Sequence, residues 1–232
     1  MKRIRVTGSN IKSSDDIIIS GSKSESNRVL ILKSIFENIS IINLSSSDDT
    51  KILQKHLNSN NHNLNIGHAG TAMRFLTAYL ATLENKKFLL GGSKRMNERP
   101  IAILVKALKD LGFNINFTQK EGFPPLEIIG CKNNKNKVKL ESNISSQYIS
   151  ALMLIAPSLD GGLVIELDGN ITSKPYIDMT LSILNQLDID AKFIDNIIIV
   201  KSKQDPMINY TYEIESCWSS LSYFFSIVAL SY

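Results

Sequence analysis

Residues 21–28 read Gly-Ser-Lys-Ser-Glu-Ser-Asn-Arg and open an apolar run at 29–36 that is typical of a helix. The stretch places two cations, Lys23 and Arg28, and three serine hydroxyls around the start of that helix. A helix start offers unpaired backbone N–H groups and the positive end of the helix dipole. Such a start, with two cations beside it, predicts a site for a phosphate or a carboxylate. Capping alone also places serine at helix starts, so the stretch gains its weight from recurring along the chain.

The same kind of helix start occurs two more times. Residues 67–74 open the apolar run 75–83, and residues 143–147 open the run 148–156. Each of the three helices is followed by a β-type run and then by a second helix with a polar or cationic entry. The β-type runs are 39–44, 88–91 and 163–167, and the entries are 47–50, 95–100 and 172–175.

The second and third copies share their spacing. Thr71 and Pro100 are 29 positions apart, and so are Ser146 and Pro175. Proline suits the first position of a helix because its missing N–H would have no partner there. Two strand-like runs close each copy, 115–117 with 126–129 and 191–194 with 197–200. The first copy is shorter, because the polar link at residues 58–65 has no room for a hairpin. The pattern predicts about three units of helix, strand, helix, strand, strand, which must pack together to bury their apolar faces.

The composition is that of a folded domain with an anionic small-molecule ligand. The chain has 232 residues, of which 43% are apolar and 21% charged, enough to bury a core. The net charge of +4 is mild, and its lysines form no basic stripe with interleaved aromatics, so we expect no nucleic-acid partner. No apolar run reaches membrane-spanning length, and residues 1–7 are charged. We therefore expect no membrane partner, no signal peptide and a cytoplasmic protein.

The two cysteines, Cys131 and Cys217, lie far apart in sequence and have no partner histidines. This spacing predicts neither a zinc site nor a disulfide framework. We expect two free thiols, as in a reducing compartment, and neither a metal nor a cofactor.

Six motifs, in order along the whole chain, resemble those of one enzyme family. They are Gly21-Ser22-Lys23-Ser24 with Ser26-Asn27-Arg28, Ala69-Gly70-Thr71-Ala72-Met73-Arg74, Arg95-Met96 with Glu98-Arg99-Pro100-Ile101, Pro124-Pro125-Leu126, Ser145-Ser146-Gln147, and Ser173-Lys174-Pro175-Tyr176-Ile177-Asp178. On these residues the chain is identified as similar to the N-terminal half of the 5-enolpyruvylshikimate-3-phosphate (EPSP) synthases, also called 3-phosphoshikimate 1-carboxyvinyltransferases.

The resemblance implies an α/β architecture, the enolpyruvyl transferase fold. Each of its two domains has three βαβαββ units, packed as an inside-out barrel with helices in the centre. The family's chains are about twice as long, so we expect a fragment of an enzyme that is a monomer at full length. Residues 1–15 would be a strand of the second domain, 16–205 the N-terminal three-unit domain, and 206–232 the truncated start of the second domain. The two terminal segments should then lack packing partners.

The implied activity is that of a transferase of the shikimate pathway to aromatic amino acids. It moves the enolpyruvyl group of phosphoenolpyruvate to the 5-hydroxyl of shikimate 3-phosphate and releases phosphate. The family's second domain supplies the carboxylates that transfer protons, so we expect this chain alone to bind without turnover. One alternative is a non-catalytic anion-binding module. A less favoured one is the transferase that acts on UDP-N-acetylglucosamine, which lacks runs such as 145–147 and 173–176 and carries a loop cysteine that is missing from 92–99.

The resemblance also assigns ligand contacts residue by residue. Phosphate oxygens accept hydrogen bonds from hydroxyls, backbone N–H groups and guanidinium groups, and a glycine lets a ligand approach the backbone. Lys23 is the implied catalytic residue, a compact cation for a phosphate or carboxylate whose charge changes during reaction. Shikimate 3-phosphate would contact Ser24, Arg28, Ser145, Ser146, Gln147, Ser173 and Tyr176, and phosphoenolpyruvate would contact Lys23, His68, Gly70, Thr71 and Arg99.

Structural interpretations of several of these residues stay open. Ser145 and Ser146 are also suited to capping a helix, and Gly70 to a tight turn. Glu98 is suited to capping the helix start that follows it. Arg74 and Lys174 are candidates for structural ion pairs with Asp48, Asp49 or Asp178.

Three residues depart from the family's usual pattern. His68 stands where asparagine is usual, Phe75 where proline is frequent, and Glu25 where an apolar residue is usual. The imidazole of His68 adds a titratable group to the implied phosphoenolpyruvate site. The departures bear on ligand affinity and on its pH dependence, and the reaction class is unaffected by them.

Overall fold

The computed structural model describes residues 16–141, 145–169, 171, 174–203 and 209–230. The helices are α1 Lys23–Ile35, α2 Asp48–Leu57, α3 Gly70–Ala81, α4 Lys94–Asn97, α5 Ala102–Asp110, α6 Ser146–Ile155, α7 Lys174–Gln186 and α8 Trp218–Ala229, with a 3-10 turn at Ala156–Ser158. The strands are β1 Ile39–Ile42, β2 Asn63–Asn65, β3 Lys87–Gly91, β4 Asn114–Phe117, β5 Leu126–Ile129, β6 Lys137–Glu141, β7 Leu163–Asp168, β8 Ala191–Ile194, β9 Ile197–Val200 and β10 Tyr210–Glu213.

Two four-stranded sheets have the same topology, which confirms the α/β repeat. Their strand orders are β2-β3-β5-β4 and β6-β7-β9-β8. In each sheet the first pair is parallel and the remaining pairs are antiparallel. The hairpin strands alternate, with Leu126 and Ile128 buried in one sheet and Ile198 and Val200 in the other. Because side chains of a strand alternate between its two faces, the buried residues of each sheet lie on the face that packs against the helices.

The leading strands β2 and β6 were absent from the repeat predicted from residue patterns. β2 lies inside the segment 58–65 that was interpreted as a polar link, and it opens the second unit. Only its central residue, Leu64, is buried, so three residues carry too little apolar pattern to be recognised. Parallel pairing with β3 supplies its backbone hydrogen bonds. Pro100 also differs from expectation, since it precedes the first residue of α5, whereas Pro175 lies in the first turn of α7.

The three helices α1, α3 and α6 form the centre of the molecule and pack against one another. Every residue of α3 except Thr71 is buried, and so is every residue of α6 except Gln147. A helix that is apolar on all sides needs such a central position. The two partly exposed residues both lie in first turns, so the starts of the buried helices are where the centre of the molecule meets solvent.

The first unit is completed by a strand from the far end of the chain. β1 pairs in parallel with β10, in the register Ile39 with Tyr210, and Tyr212 and Ile214 are buried. The expectation that 206–232 lacks packing partners is therefore wrong for these residues, because β10 takes the position that β2 and β6 have in the other units. The same expectation fits α8, none of whose residues is buried. Residues 1–15 lie outside the described residues, and the domain boundaries in a longer protein stay a prediction.

Glu25 anchors this pairing, which explains an acid at a position expected to be apolar. Its carboxylate accepts hydrogen bonds from the Tyr212 hydroxyl and from the Glu215 N–H, both at 2.9 Å. The Ser22 N–H donates to the Glu215 carbonyl at 2.7 Å. Burial, and then the hydrogen bond to Glu25, raise the pKa of Tyr212 above its usual value.

We expect Tyr212→Phe to lower the free energy of unfolding by about 1 kcal/mol at pH 8, through loss of the hydrogen bond to Glu25. Tyrosines of the unfolded chain lose their proton near pH 10, whereas folded Tyr212 keeps its proton to higher pH. The wild-type advantage should therefore shrink as the pH rises above about 10. Urea unfolding of both proteins at pH 8 and pH 10.5 measures this, with Tyr223→Phe on exposed α8 as the control. A gap that stays constant with pH would contradict the assignment.

Candidate functional site

The starts of α1, α3 and α6 converge on one cavity of about 450 Å³. The three helix starts therefore share one face of the molecule, and what binds there stays a prediction. Its lining consists of Ser22, Lys23, Ser24, Arg28, Thr71, Ser145, Ser146, Gln147, Tyr176, Cys217 and Ser219. Of the residues expected at shikimate 3-phosphate, only Ser173 is missing from this set, and it lies outside the described residues.

The three helix starts differ in how they are capped. The Ser22 hydroxyl accepts the Glu25 N–H at 3.5 Å, and the Ser145 hydroxyl accepts the Gln147 N–H at 3.3 Å. Ser145 therefore serves as a cap as well as lining the cavity. α3 follows Ala69, which has no side-chain acceptor for its first turn. The first turn of α3 thus carries backbone N–H groups that no capping side chain occupies.

Arg28 is the most buried cation of the site, with 2% of its surface exposed. Its Nε donates to Thr180 Oγ1 at 2.8 Å, its Nη1 to the Ser24 carbonyl at 2.7 Å, and its Nη2 to Ser150 Oγ at 2.9 Å. A fourth, longer bond of 3.5 Å joins Nη2 to the Tyr176 carbonyl. A guanidinium has five N–H groups, so contacts among the described residues leave one N–H, on Nη1, for a further acceptor.

The charge of Arg28 has aromatic neighbours and, in the described part of the chain, no carboxylate within ion-pair distance. The rings of Phe75 and Tyr176 lie 5.5 Å and 5.8 Å from its Cζ. Phe75, one of the departures from the family pattern, is thus a cation–π partner. Burial lowers the pKa of Arg28 to about 10, because desolvation disfavours the charged form. A buried guanidinium without a carboxylate partner in the described chain is suited to binding an anion in the cavity.

A smaller cavity of about 270 Å³ is lined by His68, Arg95, Met96 and Arg99. A Cβ built on Gly70 would collide with Nη1 of Arg99. The positive-φ glycines of the described chain include Gly67 and exclude Gly70. The tight-turn interpretation therefore applies to Gly67, whereas Gly70, without a side chain, lets the exposed Arg99 guanidinium lie against its backbone. Gly70 lies against Arg99 of the smaller cavity, and its neighbour Thr71 lines the larger one, so the two linings come together at the start of α3.

His68 is attached to the loop that follows β3. Its Nδ1 lies 2.8 Å from Ser93 Oγ, which also accepts the Met96 N–H at 3.3 Å. The Ser93 N–H donates to the Gly67 carbonyl at 2.9 Å. The loop before α3 and the start of α4 are thus joined by two hydrogen bonds.

The proposed ion pairs of Arg74 are wrong. Arg74 is buried and donates to the carbonyls of Gly70 and Pro100, both at 3.2 Å, with the Tyr148 ring 5.9 Å from its Cζ. Burial lowers its pKa. Asp49 instead lies 3.9 Å from the ammonium of Lys23. The bonds of Arg74 join the start of α3 to the segment that carries Arg99.

Glu98 and Lys174 do not have the structural roles predicted for them. Glu98 follows the last residue of α4 and occupies its C-terminal cap, so the expectation that it caps a helix start is wrong. The ammonium of Lys174 lies 6.0 Å from the centre of the Phe193 ring, and no ion pair with Asp178 is formed among the described residues.

Sequence reasoning missed four residues of this region. Ser150 and Thr180 are fully buried partners of Arg28, and their only sequence signal is a hydroxyl residue inside an apolar helix. Cys217 and Ser219 line the larger cavity, although their segment was assigned to another domain.

Among the described residues, no group of three or more histidine, cysteine, aspartate or glutamate side chains is arranged to hold a metal ion. Within those ranges, no helix has both the length and the apolar character required to cross a bilayer. Cys131 and Cys217 are both free thiols.

We expect Thr180→Val to destabilise the protein by about 2 kcal/mol, because it leaves the Nε–H of a buried cation without its acceptor. In an Arg28→Met background the same change should cost much less, which gives a coupling energy of about 1–2 kcal/mol. Urea unfolding of the wild type, both single variants and the double variant closes this cycle. Additive costs would show that Thr180 contributes only packing.

Comparisons with known proteins were made by sequence and by structure. Residues 51–232 match the family model described as EPSP synthase (3-phosphoshikimate 1-carboxyvinyltransferase). The 3-phosphoshikimate 1-carboxyvinyltransferase of Bacteroides fragilis (strain YCH46) is 42% identical over 216 residues, covering 93% of this chain and 52% of that protein. The enzyme of the same name from Colwellia psychrerythraea is 35% identical over 247 residues, covering 94% and 58%.

Among solved structures, EPSP synthase from Acinetobacter baumannii superposes with a TM-score of 0.73 at 19% identity, covering 90% of this chain and 52% of that one. At that identity the superposition shows a shared fold. The chain spans about half the length of the curated relatives it matches.

Proposed function

The chain belongs to the EPSP synthase family, and from this premise we propose that it supplies the shikimate 3-phosphate site and one side of the phosphoenolpyruvate site. The proposed reaction of the complete enzyme is transfer of the enolpyruvyl group of phosphoenolpyruvate to the 5-hydroxyl of shikimate 3-phosphate, with release of phosphate. The predictions that the complete enzyme is a monomer and works in the cytoplasm stay predictions.

One observation carries the proposal: a buried guanidinium without a carboxylate partner in the described chain opens on a cavity where three helix starts meet. A buried charge needs compensation by hydrogen bonds or an opposite charge. Arg28 has the hydrogen bonds, and its remaining N–H, together with Lys23, is suited to an anionic ligand. Hydroxyls of Ser24 and Ser146 add neutral donors, as phosphate oxygens require.

We assign phosphoenolpyruvate to the junction of the two cavities. Arg99 and His68 line the smaller cavity, and Thr71 and Lys23 line the larger one. Gly70 lies between them under the Arg99 guanidinium. A ligand at this junction would meet cations from both sides, which suits a molecule that carries both a phosphate and a carboxylate.

Lys23 is proposed to stabilise charge during the reaction. Attack of the 5-hydroxyl on C2 of phosphoenolpyruvate, with protonation of C3, requires a proton acceptor and a proton donor. None of the described residues that line either cavity is an aspartate or a glutamate. Lys23 and the arginines position the two anions against each other, whereas the proton-transferring groups are proposed to come from outside this chain. The same observation favours the alternative of a non-catalytic anion-binding module for the chain by itself.

We expect the 232-residue chain to bind shikimate 3-phosphate weakly and Arg28→Ala to lower that affinity at least tenfold, since charge-assisted hydrogen bonds contribute about 1.5–3 kcal/mol. Isothermal titration calorimetry with shikimate 3-phosphate measures the change. Arg28→Lys should recover only part of the affinity, because lysine lacks the guanidinium fork. Glu25→Gln is the control, since Glu25 contacts Tyr212 and Glu215 and does not line the cavity. Thermal unfolding of each variant verifies folding, and equal affinity of a folded Arg28→Ala variant would contradict the proposed site.

We expect no useful turnover by the 232-residue chain. General acid–base catalysis is typically worth about 100- to 10,000-fold, and neither cavity lining in the described chain contains a carboxylic acid to supply it. A coupled phosphate-release assay with both substrates tests this, with mass spectrometry of the sample to exclude a longer enzyme. Turnover by the pure chain would require an acid–base pair among its own residues.

A further inference from the structure

We propose that His68, oriented by Ser93, is a proton-linked anion contact: the smaller cavity binds a divalent oxyanion more tightly when the imidazole is protonated. This role deepens the proposed phosphoenolpyruvate site and rests on it. It makes Ser93 a positioning residue, since Ser93 acts through the imidazole.

One hydrogen bond orients the exposed ring of His68, which lines the smaller cavity. Ser93 Oγ contacts His68 Nδ1 at 2.8 Å while it accepts the Met96 N–H at 3.3 Å as the cap of α4. The Ser93 N–H is bound to the Gly67 carbonyl at 2.9 Å, so the serine is held from both its backbone and its side chain. Among the described residues, Ser93 therefore binds the imidazole through its Nδ1 nitrogen.

Either Ser93 Oγ or His68 Nδ1 can donate in this hydrogen bond, and the tautomer with its proton on Nε2 is the one in which the serine donates. With the Met96 N–H accepted, the serine hydroxyl still has its own proton, which it can give to Nδ1 of a neutral imidazole. The ring proton is then on Nε2. When the imidazole gains a second proton, Nδ1–H donates to Ser93 Oγ in return, and Nε2–H is retained. Protonation therefore changes the charge of the ring and leaves its Nε2–H donor in place.

The charges around this cavity are of one sign. Arg95 and Arg99 line it together with His68. Burial lowers the pKa of Arg74, and the charge of Arg99 adds to that lowering. In the described chain no aspartate or glutamate lines this cavity. A bound anion would offset the positive charge that a protonated imidazole adds beside these guanidinium groups. The anion and the proton therefore favour each other, and by linkage each must raise the affinity for the other.

Other groups that ionise near neutral pH are placed elsewhere. Imidazoles are the side chains whose charge ordinarily changes between pH 5 and 8. His56 is bound to the Asn65 carbonyl at 3.0 Å and His62 to the Lys87 carbonyl at 2.9 Å, and neither lines a described cavity of the site. Cys217 lines the larger cavity, and hydrogen bonding from Ser220 lowers the pKa of its thiol. Cys217→Ser is therefore a necessary control.

Inorganic sulfate is the probe, because it stays divalent across the pH range in which an imidazole titrates. NMR titration of the 232-residue chain follows the ring resonances of His68, identified by their loss in His68→Gln. We expect sulfate affinity to rise roughly three- to tenfold from pH 8 to pH 6, as a neutral donor becomes a charged one. His68→Gln should flatten the dependence, and Cys217→Ser should keep it. Ser93→Ala should weaken it, and Ser93→Thr, which restores a hydroxyl and a helix cap, should recover it.

The outcomes separate this inference from the proposed function. A pH-independent sulfate affinity, or the same dependence in His68→Gln, would overturn the proton-linked role. Failure of Ser93→Thr to recover the dependence lost in Ser93→Ala would overturn the positioning role. Phosphoenolpyruvate, titrated in parallel with shikimate 3-phosphate present, tests the site itself. Binding of phosphoenolpyruvate without proton linkage would leave the proposed function intact, whereas absence of binding to folded protein would contradict it.

Discussion

The arrangement of the helices depends on one guanidinium, that of Arg28, which is buried where four helices meet. Arg28 projects from α1 and is bound by hydroxyls of α6 and α7 and by carbonyls of α1 and α7, with an aromatic ring of α3 beside it. Placing a cation at such a point costs desolvation, so the helices must present acceptors to it. Those acceptors lie in the first two turns of their helices. Binding Arg28 therefore brings the starts of these helices close to one another.

This arrangement couples the scaffold to the cavity. The groups that satisfy Arg28 from inside also fix the direction in which its free N–H points, and Arg74 performs a parallel task one unit further along. Arg74 binds the Gly70 carbonyl at the start of α3 and the Pro100 carbonyl next to Arg99. Buried Arg74 therefore ties the segment of the more exposed Arg99 to α3, and buried Arg28 lines the larger cavity itself.

The sequence predicted most of this arrangement through period and order. Strand runs such as 191–194 and 197–200 agree with the observed strands, because two short apolar runs separated by Asp195 and Asn196 favour a hairpin. Lys23, Thr71 and Gln147 could be placed together because each opens a helix of a repeat. β2, with one buried residue, was beyond such reasoning, and so was β10, whose partner lies at the other end of the chain. The buried hydroxyls of Ser150 and Thr180 gain meaning only when Arg28 is seen beside them.

The pairing of β1 with β10 joins the beginning of the described chain to its end, so the first unit is built from both. The second and third units are each contiguous in the chain, whereas the first unit joins Ile39 to Tyr210, across most of the sequence. The Cys217 N–H also donates to the Ser20 carbonyl at 3.0 Å, so the segment after β10 runs beside the entry to α1. Closing so long a loop is entropically costly and slows folding. During synthesis from the N-terminus, β1 can pair with β10 only after the second and third units have left the ribosome. A circular permutant that begins near residue 209 would make all three units contiguous and replace this late closure with a local one.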